Sequence, residues 1–134
     1  MPLNPNGLKP IITATFDRNI GSAVAESGTC TIFIRKAPTT EWLEIKTIHN
    51  RPFSTDYIVL DPSIYLGGSS TIADLSGCEI RYNVLFLDVN GDNKMSCSFD
   101  LELAQDGIII YSKNHHKLDQ SPVDFIPFSD TFTI

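Results

Sequence analysis

Hydrophobic positions along this chain alternate with polar ones in short runs and rarely recur at helical spacing. Val, Ile, Thr, Phe and Tyr gather between Gly, Pro, Asn and Asp, the signature of strands joined by turns. The first run is Ile11–Phe16, after Pro10. In Thr29–Arg35, Cys30, Ile32 and Ile34 share one face while Thr31, Phe33 and Arg35 share the other. A turn at Ala37–Thr40 leads into Trp42–Lys46, where Leu43 and Ile45 share a face, and the two runs read as a hairpin. Asp56–Leu60 is a further strand that stops at Asp61-Pro62.

Gly67–Ser70 reads as a loop and Leu75-Ser76-Gly77 as a corner. Glu79–Val89 is apolar on both faces, with Tyr82, Val84 and Phe86 on one and Leu85, Leu87 and Val89 on the other. That pattern belongs to a central or doubly covered strand. Asn90-Gly91-Asp92-Asn93 is a hairpin turn, because Asn-Gly accepts the positive φ such turns require. Ser96–Leu103 then alternates, with Cys97, Phe99, Leu101 and Leu103 inward and Ser96, Ser98, Asp100 and Glu102 outward. Gln105-Asp106-Gly107 turns the chain again, and Ile108–Tyr111 pairs back. Short strands at this spacing predict an all-β fold, an antiparallel β-sandwich or barrel, over one domain at 1–134. Residues 1–10, with Pro2, Pro5 and Pro10, form an extended N-terminal arm, and residues 112–134 an apolar C-terminal tail.

Leu75 to Gly91 resembles the corner and following strand of fibronectin type III and related immunoglobulin-like domains. In those domains a Leu-x-x-Gly corner leads into a Tyr-x-Val-x-Val strand that ends in Val-Asn-Gly. Here the segment reads Leu75-Ser76-Gly77 and then Tyr82-Asn83-Val84 through Val89-Asn90-Gly91. The family's corner tyrosine falls on Ile80 in one register and on Tyr82 in another. The resemblance implies an immunoglobulin-like sandwich and an adhesive or structural role, of the sort met in cell-surface adhesins and in bacteriophage virion and tail proteins.

The charge balance narrows the partners. Ten Lys and Arg stand against sixteen Asp and Glu, a net charge of −6. Binding to nucleic-acid phosphates rests on a cationic surface, so no nucleic-acid partner is expected. No apolar run approaches the ~20 residues of a membrane-spanning helix, and no membrane partner is expected. The first residues lack the basic and apolar stretches of a signal peptide. Three cysteines, Cys30, Cys78 and Cys97, have no close spacing; they read as buried thiols, with a Cys30–Cys78 bridge as the alternative. These features point to synthesis in the cytoplasm, with later incorporation into a virion as one destination.

Candidate chemistry is sparse. Asp88, Asn90 and Asp92 open like a calcium loop, but the sixth position is Asn93 and the twelfth is Phe99, where Gly and Glu are needed. A solvated hairpin turn is the preferred reading, with no cofactor, and calcium is the alternative. His115 and His116 are adjacent, so in a strand they would face opposite ways; with His49 they read as solvated loop residues. No nucleophile elbow, phosphate loop or His-Glu-x-x-His occurs, and no enzyme is expected. Trp42, Tyr57 and Tyr65 could together stack a sugar ring.

The tail is the most informative oddity. Phe125, Ile126, Phe128, Phe132 and Ile134 must find cover, either along the chain's own sandwich or on a protein partner or second copy. The sequence therefore predicts a non-catalytic structural or protein-interaction module within a larger assembly, with a bacteriophage virion or tail component as its most concrete form. A carbohydrate-binding module, calcium-assisted through the Asp88 turn, is the alternative.

Overall fold

The computed structural model describes residues 3–16, 27–36, 41–50, 55–87, 95–120 and 125–134. Its strands are β1 (Ile11–Phe16), β2 (Ser27–Lys36), β3 (Leu43–Asn50), β4 (Thr55–Val59), β5 (Cys78–Leu87), β6 (Met95–Gln105), β7 (Ile108–Gln120) and β8 (Phe125–Thr133). They form two four-stranded sheets, ordered β4-β1-β6-β7 and β3-β2-β5-β8. Every pairing is antiparallel. The protein is an all-β sandwich.

The alternation read from the sequence becomes the core. Ile12, Ala14 and Phe16 of β1, Cys30, Ile32 and Ile34 of β2, Ile80, Tyr82, Val84 and Phe86 of β5, and Phe99, Leu101 and Leu103 of β6 are all buried. They come from the inner faces of both sheets, since side chains alternate across a strand. Phe16 stands edge-on to Phe86 at 5.5 Å and to Phe99 at 5.2 Å, which ties one sheet to the other. Cys30, Cys78 and Cys97 are buried and unbridged, so they act as small apolar fillers.

Several local expectations hold. β2 and β3 are paired, although the turn at 37–40 lies outside the described residues. β6 and β7 form a tight hairpin through Asp106 (φ 54°) and Gly107 (φ 78°). Two successive positive φ values match the twist of the flanking strands, and Asp-Gly supplies them cheaply. Gly77 takes φ 83° at the corner beside the fully buried Leu75.

Others are corrected. Asn90-Gly91 was expected to join the strands on either side as a hairpin, yet β5 and β6 lie in different sheets. An Asn-Gly pair specifies a local bend and not which strand lies beside which; residues 88–94 themselves lie outside the described set. β5 is central, paired to β2 and β8, but its second face is open and leaves Leu85 38% exposed. Two short helices interrupt the path from β4 to β5: α1 (Pro62–Tyr65) and a 3-10 turn (Ile72–Leu75). Asp61 caps α1, accepting the Ser63 N–H at 2.9 Å, and Pro62 starts it with a preset φ.

Both arms are bound into the sandwich. In the N-terminal arm, the side chain of the buried Gln105 accepts the Asn4 N–H at 2.7 Å and donates to the carbonyls of Asn4 (2.7 Å) and Leu8 (2.9 Å). Asp106 accepts the Leu8 N–H at 3.0 Å. The turn between β6 and β7 thus grips the arm. The expected tail is divided: residues 112–120 extend β7, and residues 125–133 become β8, paired along its length to β5 from Leu87–Phe125 to Glu79–Thr133. Ile134 N–H donates to Cys78 O. Counting alternate positions back from that bond turns the Pro127 nitrogen away from β5, so proline costs no ladder bond on this edge strand.

Space requires a glycine at position 28. A Cβ at Gly28 would lie 2.8 Å from Phe16 and 3.3 Å from Phe86, both buried and wedged together. Gly28→Ala should therefore cost about 1–3 kcal/mol, read as a lower denaturant midpoint. Gly68→Ala, with nothing within 4 Å of its Cβ, is the control that should leave the midpoint in place.

Candidate functional sites

The aromatic platform is assembled only in part. Trp42, just before β3, and Tyr65, at the end of α1, line one shallow pocket of about 290 Å³ with Arg35, Lys36 and Glu41. Tyr57 is elsewhere, on the outer face of β4 opposite Thr13 and 71% exposed. The Trp42 ring is already in use. The Arg35 guanidinium lies 4.3 Å from its centroid and Arg81 lies 5.9 Å away, an attraction between cation and ring face. Arg35 is held there by Glu79 at 2.9 Å. A sugar would have to displace this guanidinium or use the ring's other face.

Asp88, Asn90 and Asp92 lie outside the described residues. Among the described residues, no group of three or more His, Cys, Asp or Glu side chains could hold a metal ion.

The tail residues are largely consumed at home. Ile126 is buried, and Phe128, Phe132 and Ile134 pack against the core; Phe125 is 56% exposed. Of the two courses open to the tail, packing along its own sandwich is the one these contacts show.

A polar cluster that the sequence did not disclose joins β7 to β8 through β5. β7 does not end at Tyr111 but continues to Gln120, pairing with β6. His115 was expected in a solvated loop; instead it faces inward, opposite Phe99, while His116 is exposed. The hydroxyl of the fully buried Tyr82 lies 2.7 Å from His115 Nε2 and 2.9 Å from the Tyr111 hydroxyl. Tyr111 donates to Asp130 Oδ2 at 2.8 Å, and Lys113 Nζ is 3.1 Å from the same oxygen. The Tyr111 ring stacks on Phe132 at 3.7 Å, interplanar angle 6°.

Proton counting orients this chain. Tyr111 has one proton, and Asp130 takes it. The Tyr82–Tyr111 contact must then use the Tyr82 proton. His115 Nε2 is left as a donor, because a hydroxyl oxygen with its proton spent can only accept. The chain runs one way: His115 N–H to Tyr82, Tyr82 O–H to Tyr111, Tyr111 O–H to the Asp130 carboxylate.

Charges respond to this setting. Burial disfavours the Asp130 carboxylate, but bonds from Tyr111, Lys113 and the Thr131 N–H outweigh it and hold the carboxyl below its ordinary value. Burial pushes the Tyr111 hydroxyl up to about 12 despite its bond with Tyr82, and Asp130 adds to the rise. The Tyr82 hydroxyl is raised further, mainly by burial. His115 is pulled below 6.5 by burial and by Lys113, against Asp130 and Asp100.

Tyr111→Phe keeps the stack on Phe132 but removes two of the chain's three links, those to Tyr82 and Asp130, and should cost about 1–3 kcal/mol in chemical denaturation. Lys113→Met breaks a pair that is roughly half exposed on the lysine side and should cost under about 1 kcal/mol. His115 is neutral more readily when folded, so its contribution is full above pH 6.5 and declines as pH falls through the folded value. Stability should drop from about pH 6.5 downward, ahead of the losses that begin near 3.8 as Asp130 and its like protonate. His115→Gln should flatten the first of these declines while leaving the second.

No family model matches this chain, nor does any curated protein or solved structure.

Proposed function

We propose that this protein is a non-catalytic interaction module of a larger assembly, built on an immunoglobulin-like version of the sandwich. The topology supports the second part. In immunoglobulin-like domains strand B pairs with A and E, and strand C pairs with F, which pairs with G. Here β1 pairs with β4, β2 with β3 and β5, and β5 with β8. That is the order obtained when β1, β2, β4, β5 and β8 take the places of B, C, E, F and G, with β3 as an extra strand beside C. The β6–β7 hairpin then occupies the place of strand A. The corner at Leu75–Gly77 precedes β5, where the resemblance puts it. Tyr82 departs from the family's corner tyrosine, since its hydroxyl bonds side chains of β7.

The observation that carries the interaction reading is an apolar row on the solvent face of one sheet. Val59, Ile11, Ala104 and Ile109 are register partners in turn across β4, β1, β6 and β7. Val59 is 51% exposed, Ile11 41% and Ile109 50%. A row spanning a whole sheet differs from scattered surface aliphatics, which are ordinary. A virion component, the concrete form expected from the sequence, is one such assembly.

Affinity capture with the wild-type chain and with Ile11→Ser/Ile109→Ser tests this. Proteins retained by the wild type should be lost with the variant while thermal unfolding stays unchanged. An identical set of retained proteins would sink the reading.

A second reading, carbohydrate binding, is favoured by the shared pocket of Trp42 and Tyr65. A glycan array run with and without chelator should then show hits that Trp42→Ala and Tyr65→Ala abolish, and Tyr57→Ala should leave them intact. No hit in either condition would exclude it.

A further inference from the structure

We propose that the solvent face of the β4-β1-β6-β7 sheet binds a second copy of the same chain, face to face, about a two-fold axis parallel to the strands. This rests on the reading of that face as the interaction surface and names its occupant. The face presents three rows of outward side chains: Val59, Ile11, Ala104, Ile109; then Tyr57, Thr13, Glu102, Ser112; then Thr55, Thr15, Asp100, Asn114. A two-fold axis along the strands reverses strand order and keeps each row opposite itself. β4 then covers β7 of the second copy, and β1 covers β6.

Size and charge both fit that operation. In the first row the long Ile11 meets the small Ala104 of the second copy, and Val59 meets Ile109. In the second row Glu102 meets Thr13, and in the third Asp100 meets Thr15. Each carboxylate faces a hydroxyl that can donate to it, and none faces another carboxylate. A two-fold axis across the strands, through the middle row, sets Glu102 against its own copy. That like-charge contact would be costly in a chain of net charge −6. The geometry thus selects one of the two face-to-face arrangements, an isologous contact that closes as a dimer.

The area sets the strength. Four strands about 4.8 Å apart and three rows about 7 Å apart give a face of roughly 400 Å². That is about half the ~800 Å² each partner contributes to a standard interface. The dimer is therefore weak and concentration-dependent, filling at high local concentration as within an assembly.

Sedimentation equilibrium on the full chain tests this. The mean mass should climb from 14.9 kDa toward twice that value as concentration rises to about 1 mM, the range in which small interfaces associate. Ala104→Arg and, separately, Ile109→Ser should hold it at the monomer value without lowering the melting temperature. Facing sheets lie about 10 Å apart, beyond disulfide reach, so a short bis-maleimide reports the axis. Val59→Cys chains mixed with Ile109→Cys chains should cross-link to each other, and Val59→Cys chains alone should not.

A constant 14.9 kDa overturns the proposal. So does a rising mass that both variants leave unchanged, or Val59→Cys chains that cross-link among themselves as well as to Ile109→Cys. A monomer whose captured proteins still depend on Ile11 and Ile109 would remove self-association and leave the interaction reading standing.

Discussion

Tyr82 is the largest side chain fully shut off from water, and its hydroxyl imposes a condition the whole seam obeys. A buried hydroxyl without partners costs far more than an ordinary hydrogen bond gains. β5, which carries it, sits between β2 and β8 in one sheet, so its partners must come from across the sandwich. Tyr111 and His115 of β7 supply them, and Tyr111 passes the demand on to Asp130 of β8. One buried oxygen thereby fixes β7 against β5, and through Asp130 against β8. The Tyr111–Phe132 stack covers the same seam with apolar contact, which strengthens each polar bond beneath it by keeping water away.

The two chain ends follow the same logic. Backbone groups in an extended arm need partners if the arm is to lie against the protein. Gln105 supplies them at one end, using both amide protons and its carbonyl on Asn4 and Leu8. At the other end β5 supplies a ladder. Apolar residues that looked available for a partner, such as Phe128 and Phe132, then become part of the seam.

The parts of this fold that were legible in the sequence are those governed by nearest neighbours along the chain. Alternation in Thr29–Arg35 and Ser96–Leu103 marked the buried apolar residues because side-chain direction in a strand has a period of two, but Ser96 and Ser98, read as outward, are buried as well. Asp106-Gly107 identified its own turn. What escaped detection depended on distant residues. His115 and His116 read as solvated loop residues because nothing local calls for a strand there. β6 provides the pairing, and Tyr82, thirty-three positions before His115, provides the partner that draws the imidazole inward. Asp61-Pro62-Ser63 reads as a strand end and not as a helix cap, since four residues of helix leave no apolar period. Neither Val59, Ile11, Ala104 nor Ile109 is unusual in its own run; only the register aligns them.

The two solvent faces of the sandwich have different chemistry. On the β3-β2-β5-β8 sheet, Thr29, Thr31, Asn83 and Ser129 line a shallow depression with Leu85 and Pro127, and Trp42, which lines a separate pocket, has Arg35 over its ring. Polar groups there already meet water, and burying them would require a partner to match each one. On the other sheet the first row offers four aliphatic side chains in line, with hydroxyls and carboxylates confined to the rows behind. Burying such a row would release water from apolar surface at little polar cost, and in the proposed dimer the second and third rows, with their fixed spacing of Thr and carboxylate, would set the arrangement. In the proposed dimer a shift by one strand would set Glu102 and Asp100 either opposite their own copies or opposite Tyr57 and Thr55 of the second copy, so the carboxylates find the Thr13 and Thr15 hydroxyls only in the unshifted arrangement.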